Sequence, residues 1–170
     1  MIVLVDYSLI LQAIQTVGIL VGIFYYIMTL RNQNKTRQAQ IYVQIYNKFS
    51  DPDFLERYYD AMSFKPRDTD EYVKTLESRF GNDNRKYAEL VSVGTTLEGI
   101  GVLVKRGFID PRYIADTMGT LIVEYWEDKE HLFFELRKRW NNPRIYPEIE
   151  HLYKVVSEIV YKEHPEMKPQ

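Results

Sequence analysis

Two pairs of carboxylate and imidazole side chains have a spacing that could bind a metal ion. Asp128 precedes His131 by three positions, and Glu148 precedes His151 by three. On a helix this spacing places both side chains on one face, as in the Glu-x-x-His pairs of di-iron bundles. Those sites need two further carboxylates, and both pairs here stand at predicted helix starts, where acids favour the helix dipole. The sequence therefore predicts no metal and no cofactor, and a structural role for both pairs.

Glu98 is a second position that could do chemistry. It lies in an apolar segment between Gly94 and Gly101. A half-buried carboxylate can have a raised pKa and act as a general base. No nucleophile accompanies it, so we favour pairing with an arginine such as Arg106 or Arg137, or a position that points outward.

A basic and aromatic segment, residues 137–140 (RKRW) with Arg144, could contact lipid headgroups or nucleic acid. The apolar positions at helical spacing beside it are Leu132, Phe133, Leu136 and Trp140. This spacing predicts that the cations form the solvated side of an amphipathic helix whose apolar stripe is buried. Of the two functional alternatives, membrane contact is preferred.

Composition limits the classes of function. The chain of 170 residues has 24 acidic and 22 basic side chains, and it has no cysteine. A net charge of -2 argues against nucleic acid as a partner. The absence of cysteine excludes disulfides, thiol catalysis and cysteine-based metal sites. Because no P-loop, GxSxG or HExxH motif occurs either, the sequence predicts a protein that is not an enzyme.

The predicted helices that carry these residues come after one apolar segment, residues 8–30, which has no formal charge. As a helix it would extend over roughly 34 Å, enough for a hydrocarbon core of about 30 Å. Tyr7 lies at one end of it, and Tyr25 and Tyr26 lie near the other, as expected of rings at headgroup level. The segment is predicted to be a single transmembrane helix.

Charges beside this segment predict its orientation. Asp6 precedes it without a lysine or arginine, whereas Arg31, Lys35 and Arg37 follow it. The positive-inside rule places the N-terminus outside and the C-terminal domain in the cytoplasm of a cell whose plasma membrane holds the span. The same three cations are expected to contact anionic headgroups. A cleaved signal peptide fits poorly, because there is no basic region before the apolar run.

One stripe of the predicted span carries small and polar residues, among them a GxxxG pair formed by Gly18 and Gly22. Small residues permit close approach of two membrane helices, and Gln15 on the same stripe can hydrogen-bond across such an interface. The predicted helix–helix interface consists of Gln15, Gly18, Gly22, Tyr25 and Thr29. We expect the lipid bilayer as one partner, and a second copy or another membrane protein as the other.

Beyond residue 30 the sequence predicts only helices. The first helix is expected to continue from residue 8 to Phe49, and Asp51-Pro52, Asp68, Asp83, Asp110-Pro111 and Pro147 are expected to start others. Glu71 gives Asp68 the spacing of a capping box, and the helices that begin at Asp68 and Asp83 are expected to end before Gly81 and Gly107. Close helix packing is expected at Gly94, Gly101 and Gly119, and a buried stripe that includes Tyr87 and Leu90. A kink is expected near residues 126–128. The predicted class is all-α: one N-terminal transmembrane helix that continues into a cytoplasmic multi-helix bundle. The predicted divisions are 1–7 outside, 8–30 transmembrane, 31–164 helical domain and 165–170 flexible tail.

Three features together resemble a known family. They are the single N-terminal span, the basic and glutamine-rich segment RNQNKTRQAQIYVQIYNKFSD after it, and the helix and turn LEGIGVLVKRGFID, followed by a helix that ends in tryptophan. This chain resembles a prokaryotic family, bacterial and archaeal, of single-span helical membrane proteins known only as a domain of unknown function. The resemblance implies a fold and a topology, and it implies no catalytic residue.

Three hypotheses follow for function. The favoured one is a membrane-anchored, non-catalytic interaction protein, either an accessory subunit or a self-associating scaffold. The second is a membrane-surface enzyme that uses Glu98 or the two carboxylate–histidine pairs, and it requires that these side chains converge in one pocket. The third is a signalling adaptor whose long first helix connects cytoplasmic events to the span.

Overall fold

The computed structural model describes residues 7–82 and 84–169, apart from the side chains of residues 76–82 and 84–90. The described residues form six α-helices and one short 3-10 helix, with no strand among them. The helices are α1 (Tyr7–Phe49), α2 (Pro52–Ser63), α3 (Thr69–Asn82), α4 (Asn84–Lys105), α5 (Pro111–Arg139), α6 (Pro147–Glu163) and the 3-10 helix Pro165–Met167. The predicted all-α class is confirmed, with a long apolar first helix followed by a helical bundle.

The chain divides into two compact units, the first ending at Gln40 and the second beginning at Ile41. In the first unit, the described apolar side chains of α1 are exposed. The second unit contains the last turns of α1 and the helices α2–α6. Within it, Ile45 and Phe49 are buried, and the rings of Phe49 and Phe54 lie 4.7 Å apart.

Two Asp-Pro pairs start helices as the sequence predicts. The Asp51 carboxylate accepts a hydrogen bond from the Asp53 amide at 2.9 Å, and the Asp110 carboxylate accepts one from the Arg112 amide at 3.0 Å. The proline that follows each aspartate occupies the first helical position, where no backbone N–H is needed. Local chemistry therefore determines where α2 and α5 begin.

Gly107 ends α4 as predicted. Its φ of 69° lies in the left-handed region that favours glycine. The Gly107 amide donates to the Val104 carbonyl and the Phe108 amide donates to the Leu103 carbonyl, both at 2.9 Å. This pair of hydrogen bonds is a Schellman motif, which satisfies the last carbonyls of the helix and turns the chain towards α5.

The start of α3 agrees with the prediction, and its end does not. The Glu71 amide donates to the Asp68 carboxylate at 2.8 Å, which is the predicted capping contact. The helix was expected to end at residue 80, before Gly81, but it continues to Asn82. The predicted start of the next helix at Asp83 lies outside the described residues.

The helix does not end at the kink predicted near residues 126–128, because α5 is one continuous helix from Pro111 to Arg139; the kink itself stays a prediction. No proline or glycine interrupts this part of the helix, and sharp kinks almost always require such a cause. The indole N–H of Trp126 donates to the Glu130 carboxylate one turn later at 3.0 Å. Trp126 and Lys129 are both buried.

Two aromatic residues at the ends of α5 are exposed, and one of them, Trp140, was predicted in the buried stripe. Trp140 follows the last helical residue as the C-cap and remains 50% exposed, because the chain leaves the helical stripe there. Tyr113, in the first turn, is 46% exposed. The expected stripe is buried between these ends at Leu132, Phe133 and Leu136.

The core of the second unit is built around α6, which packs most extensively against α4 and α5. Ile149, Leu152 and Val156 of α6 have no exposed surface. Gly119 of α5 permits a close approach, since a Cβ atom there would stand 2.7 Å from Val160 Cγ2. The predicted buried positions Tyr87 and Leu90 lie among the side chains that are not described.

Candidate functional site

The predicted interface stripe lies on an exposed face of α1. The backbone of α1 is continuous, so helical spacing places Gln15, Gly18, Gly22, Tyr25 and Thr29 along one side. A Cβ atom added at Gly18 or Gly22 would meet no atom within 4 Å, and Tyr25 is 73% exposed. The Thr29 hydroxyl donates to the Tyr25 carbonyl at 2.9 Å, so it is satisfied within the helix. The glycines leave an open groove in the surface of α1.

One helix of the described chain, α1, is long and apolar enough to span a membrane. None of its most apolar window is buried within the structure. A core helix of a globular protein would have this surface covered by its neighbours. The cations predicted to contact headgroups, Arg31, Lys35 and Arg37, are exposed on the same helix after the apolar segment.

Glu98 caps the N-terminus of α6. Its carboxylate accepts hydrogen bonds from the backbone amides of Glu148 at 3.0 Å and Ile149 at 2.9 Å. The residue in the N-cap position, Tyr146, makes no side-chain capping bond, so α6 depends on this distant carboxylate. Burial raises the pKa of Glu98 and outweighs the opposing effect of the two amide hydrogen bonds. The charge of Glu148 raises it further, and that of Arg137 lowers it.

Arg137 holds the connection between α5 and α6. Its guanidinium donates to the carbonyls of Ile145 at 2.8 Å and Tyr146 at 3.1 Å, and it forms an ion pair with Glu150 at 2.6 Å. The expected pairing of Glu98 with an arginine is therefore wrong: backbone amides are its hydrogen-bond partners. Hydrogen bonds from Lys154 and then Arg137 hold the pKa of Glu150 below its usual range, although burial opposes them.

Two glycines of α4 allow this helix to pack closely against the start of α6, as the sequence suggested. A Cβ atom at Gly101 would stand 2.6 Å from the carbonyl carbon of Glu148. A Cβ atom at Gly94 would stand 2.9 Å from the ring of Tyr146. These approaches bring α4 within reach of the first turn of α6, where Glu98 acts as a cap.

Asp128 lies in an ion-pair cluster that closes the end of α2. Its carboxylate pairs with Lys65, and its second oxygen lies 2.8 Å from Lys129 Nζ. The buried Lys129 donates to the Phe64 carbonyl at 2.7 Å, which is the C-cap position of α2. Burial alone would raise the pKa of Asp128, but hydrogen bonds and charge from the two lysines outweigh it and lower that pKa.

The acids of the two carboxylate–histidine pairs contact different partners. Glu148 pairs with Lys105 at 2.8 Å, whereas Asp128 contacts the end of α2. His131 is exposed and His151 is half-buried. Across the described residues, no group of three or more His, Asp or Glu side chains could hold a metal ion. The absence of a metal site stays a prediction.

The basic segment at the end of α5 is largely engaged within the bundle. Lys138 pairs with Glu135 at 2.7 Å, and Arg139 pairs with Asp70 near the start of α3. Arg137 contributes to the α5–α6 connection and also lies over the ring of Phe134, 5.1 Å from its centroid. These contacts favour the structural interpretation of this segment over membrane contact.

Three structural residues were not identified from the sequence. Tyr146 adopts a left-handed conformation with φ 50°, and only the Tyr146-Pro147 pair marks it as a special position. Lys129 gives no sign of burial, because it follows Asp128 in a charged stretch. Glu127 accepts hydrogen bonds from Tyr153 at 3.1 Å and from Tyr161, and this bond between α5 and α6 depends on tertiary contact alone.

Comparison with known proteins places the chain in one family. Neither a curated protein nor a solved structure matches the chain. A protein family described as "Domain of unknown function (DUF4760)" matches residues 12–155, which include most of α1 and the helices of the bundle as far as the middle of α6. The match covers well over half of the sequence, so the chain belongs to the family Domain of unknown function (DUF4760).

Proposed function

We propose that this protein is a membrane-anchored, non-catalytic interaction protein, either an accessory subunit or a self-associating scaffold. Its anchor is the segment 8–30 of α1, and its bundle is cytoplasmic. The observation that carries the proposal is the apolar surface of α1, which no other described part of the chain covers. The prokaryotic, single-span character implied by the resemblance belongs to the same proposal.

The energy of that surface supports a bilayer or a partner around it. Burying one Leu, Ile, Val or Phe side chain is worth about 1.5–3 kcal/mol. Ten such side chains would therefore contribute about 15–30 kcal/mol, more than the net stability of about 5–15 kcal/mol of a typical domain. Exposed apolar side chains of this segment include Leu9, Leu11, Ile14, Val17, Ile19, Leu20, Val21, Ile23, Phe24 and Ile27.

The direction of insertion follows from charge. Arg31, Lys35 and Arg37 are exposed on the C-terminal side of the segment, and they would stay on the side with anionic headgroups and a negative potential. We therefore propose that the N-terminus is outside and the bundle is in the cytoplasm.

Self-association is proposed to use the groove at Gly18 and Gly22. Because none of the described residues occupies the space beside these glycines, the backbone of a second helix could approach closely there. Gln15, on the same stripe, would then hydrogen-bond across the interface rather than remain unsatisfied in hydrocarbon. A partner membrane protein with its own small-residue stripe would use the same groove.

The contacts of the charged residues support a non-catalytic role. Glu98 caps α6, Asp128 pairs with lysines at the end of α2, and Glu148 pairs with Lys105. Each candidate acid of the enzyme hypothesis thus has a partner that accounts for its position. No observation favours the signalling-adaptor alternative, which requires a second conformation.

The test is self-association of the full-length protein in lipid vesicles, measured by energy transfer between labelled copies over a range of protein-to-lipid ratios. Replacing both glycines (Gly18→Leu with Gly22→Leu) fills the groove with side chains. We expect the dissociation constant of the self-associated form to rise about tenfold or more, equivalent to about 1.4 kcal/mol.

The matched control replaces the residue before each glycine (Val17→Leu with Val21→Leu). These positions have the same spacing and stay apolar, but lie about 100° around the helix. Energy transfer in this control should equal that of the unchanged protein. If the two double variants associate equally well, the groove is not the interface, and if the unchanged protein shows no transfer, the scaffold form of the proposal fails.

A further inference from the structure

The connection between α4 and α5, residues 105–113, presents charged and aromatic side chains on a fixed backbone; we refer to it as the α4–α5 corner. Arg106 is exposed and Phe108 is 41% exposed, while Ile109 is buried and fixes the connection to the core. The two hydrogen bonds at Gly107 hold the turn before α5 begins. The corner is therefore an ordered surface feature that carries a cation and an aromatic ring two positions apart.

One cation of the corner has no opposite charge beside it. Lys105 pairs with Glu148 at 2.8 Å, and Arg112 pairs with Asp110 at 2.5 Å. The guanidinium of Arg106 has no ion pair or side-chain hydrogen bond within the part of the chain that the structure describes. The corner therefore carries a positive charge that its own acids do not compensate, and an anionic surface would complement it.

The position of the corner in the second unit is defined by Tyr42. The rings of Tyr42 and Tyr113 lie 5.6 Å apart, so the first turn of α5 contacts the part of α1 with which the unit begins. In the sequence, only residues 31–40 separate this end of the unit from the proposed transmembrane segment, and they carry three cations. This end of the second unit is therefore the one nearest in sequence to the proposed transmembrane segment.

The basic segment at the opposite end of α5 has a different position. Arg139 follows Tyr113 along one continuous helix, which places it about 39 Å away at a rise of about 1.5 Å per residue. Arg139 is also paired with Asp70. Of the two basic and aromatic surfaces on α5 and its connections, the α4–α5 corner is the one at the tethered end.

We propose that the α4–α5 corner is a second membrane-contact site, in which Arg106 binds anionic lipid headgroups and Phe108 enters the interfacial layer. Cationic side chains gain affinity near anionic lipid, and aromatic rings favour the headgroup region. The inference rests on the proposed anchoring by α1. It adds that the bundle contacts the bilayer surface through the α4–α5 corner.

The experiment uses the absence of cysteine in the chain to place single thiol labels in the full-length protein. A polarity-sensitive fluorophore is attached at Phe108→Cys, and the protein is reconstituted in vesicles of phosphatidylcholine and phosphatidylglycerol with a headgroup nitroxide. Phe134→Cys is the matched control, because Phe134 has nearly the same exposure, 39%, and lies far along α5. A label at Val21→Cys with an acyl-chain nitroxide reports on the anchor itself.

We expect the label at position 108 to be quenched several-fold more strongly than the one at 134. We also expect Arg106→Glu, or vesicles of phosphatidylcholine alone, to reduce that difference. Equal quenching at 108 and 134, with the label at 21 quenched by the acyl-chain nitroxide, would overturn the inference and leave the anchor intact. If the label at 21 is not quenched, the anchoring fails, and the inference fails with it.

Discussion

At the scale of single residues, two glycines of α4 have opposite environments. Gly101 faces the first turn of α6, where an added Cβ atom would stand 2.6 Å from the Glu148 carbonyl carbon. Gly99 is exposed, and a Cβ atom there would meet nothing within 4 Å. Backbone atoms cannot rotate away as a flexible side chain can. Gly101 is therefore required by packing, whereas Gly99 is a helix position that any residue could occupy.

We expect Gly101→Ala to lower the free energy of unfolding of the bundle by about 1–3 kcal/mol, because α4 and α6 must move apart. Gly99→Ala is the control, and it should raise stability by up to about 1 kcal/mol through helix propensity. Chemical denaturation followed by circular dichroism in mild detergent measures both. Equal stability of the two variants would show that α4 does not approach α6 as closely as described.

Residue-level chemistry explains why some contacts were predictable and others were not. Asp51, Asp110 and Gly107 act on their own backbone within a few positions, so their types and spacing identify them. Glu98 acts on amides fifty positions away, and no local pattern indicates that partner. The sequence singled out Glu98 in an apolar segment and predicted an arginine partner or an outward position for it, but not its role as a helix cap.

At the scale of elements, α6 depends on side chains from α4 and α5 for its start. Its N-cap residue, Tyr146, has a left-handed backbone and gives no side-chain cap, so the first amides of α6 are satisfied by Glu98. Arg137 holds the two preceding carbonyls. A left-handed conformation at a bulky residue carries strain of about 1–3 kcal/mol, which these contacts offset.

We expect Glu98→Ala to destabilise the bundle by about 1–3 kcal/mol, because two buried amides lose their acceptor. Glu98→Gln retains an acceptor oxygen and removes the charge. Since the pKa of Glu98 is raised in the folded state, its folded form holds a proton more readily than the unfolded chain does. That contribution to stability is present below the ordinary glutamate pKa of about 4.3 and is lost as pH rises through the folded value.

The measurement is the unfolding free energy of the three proteins between acidic and neutral pH. The free energy of unfolding of Glu98→Gln should increase relative to that of the unchanged protein as pH rises. Glu98→Ala should have the lowest free energy of unfolding throughout. A constant difference between the glutamine variant and the unchanged protein would contradict the raised pKa. An alanine variant as stable as the glutamine variant would contradict the capping role.

The Asp-Pro pairs before α2 and α5 and Gly107 after α4 made those boundaries predictable, whereas Gly81 did not end α3. The continuity of α5 was not predictable, because the charged stretch around Asp128 was interpreted as a kink between two helical segments. In the structure this stretch is charged for another reason: Asp128 and Lys129 bind Lys65 and the end of α2. The sequence therefore did not distinguish a charged stretch that faces solvent at a kink from one that binds another part of the fold.

At the scale of the whole molecule, the sequence predicted the class and the long apolar helix, because both depend on composition and periodicity. The first unit is an exposed apolar helix, and the second is a bundle organised around α6. Function at this scale depends on what covers α1 and what binds the bundle. We propose that lipid and a second helix at the groove of Gly18 and Gly22 cover α1, and that the α4–α5 corner is the part of the bundle that binds lipid.

The central claim is that α1 crosses a membrane once, with its N-terminus outside and the bundle in the cytoplasm. The most direct measurement is labelling of single cysteines with a membrane-impermeant maleimide, in intact spheroplasts and after lysis of a bacterial expression host. Tyr7→Cys reports on the start of α1, and Thr95→Cys reports on an exposed position of α4. We predict that position 7 is labelled in intact spheroplasts and that position 95 is labelled only after lysis. Equal labelling of both positions before lysis, or protection of position 7 with labelling of position 95, would contradict the account.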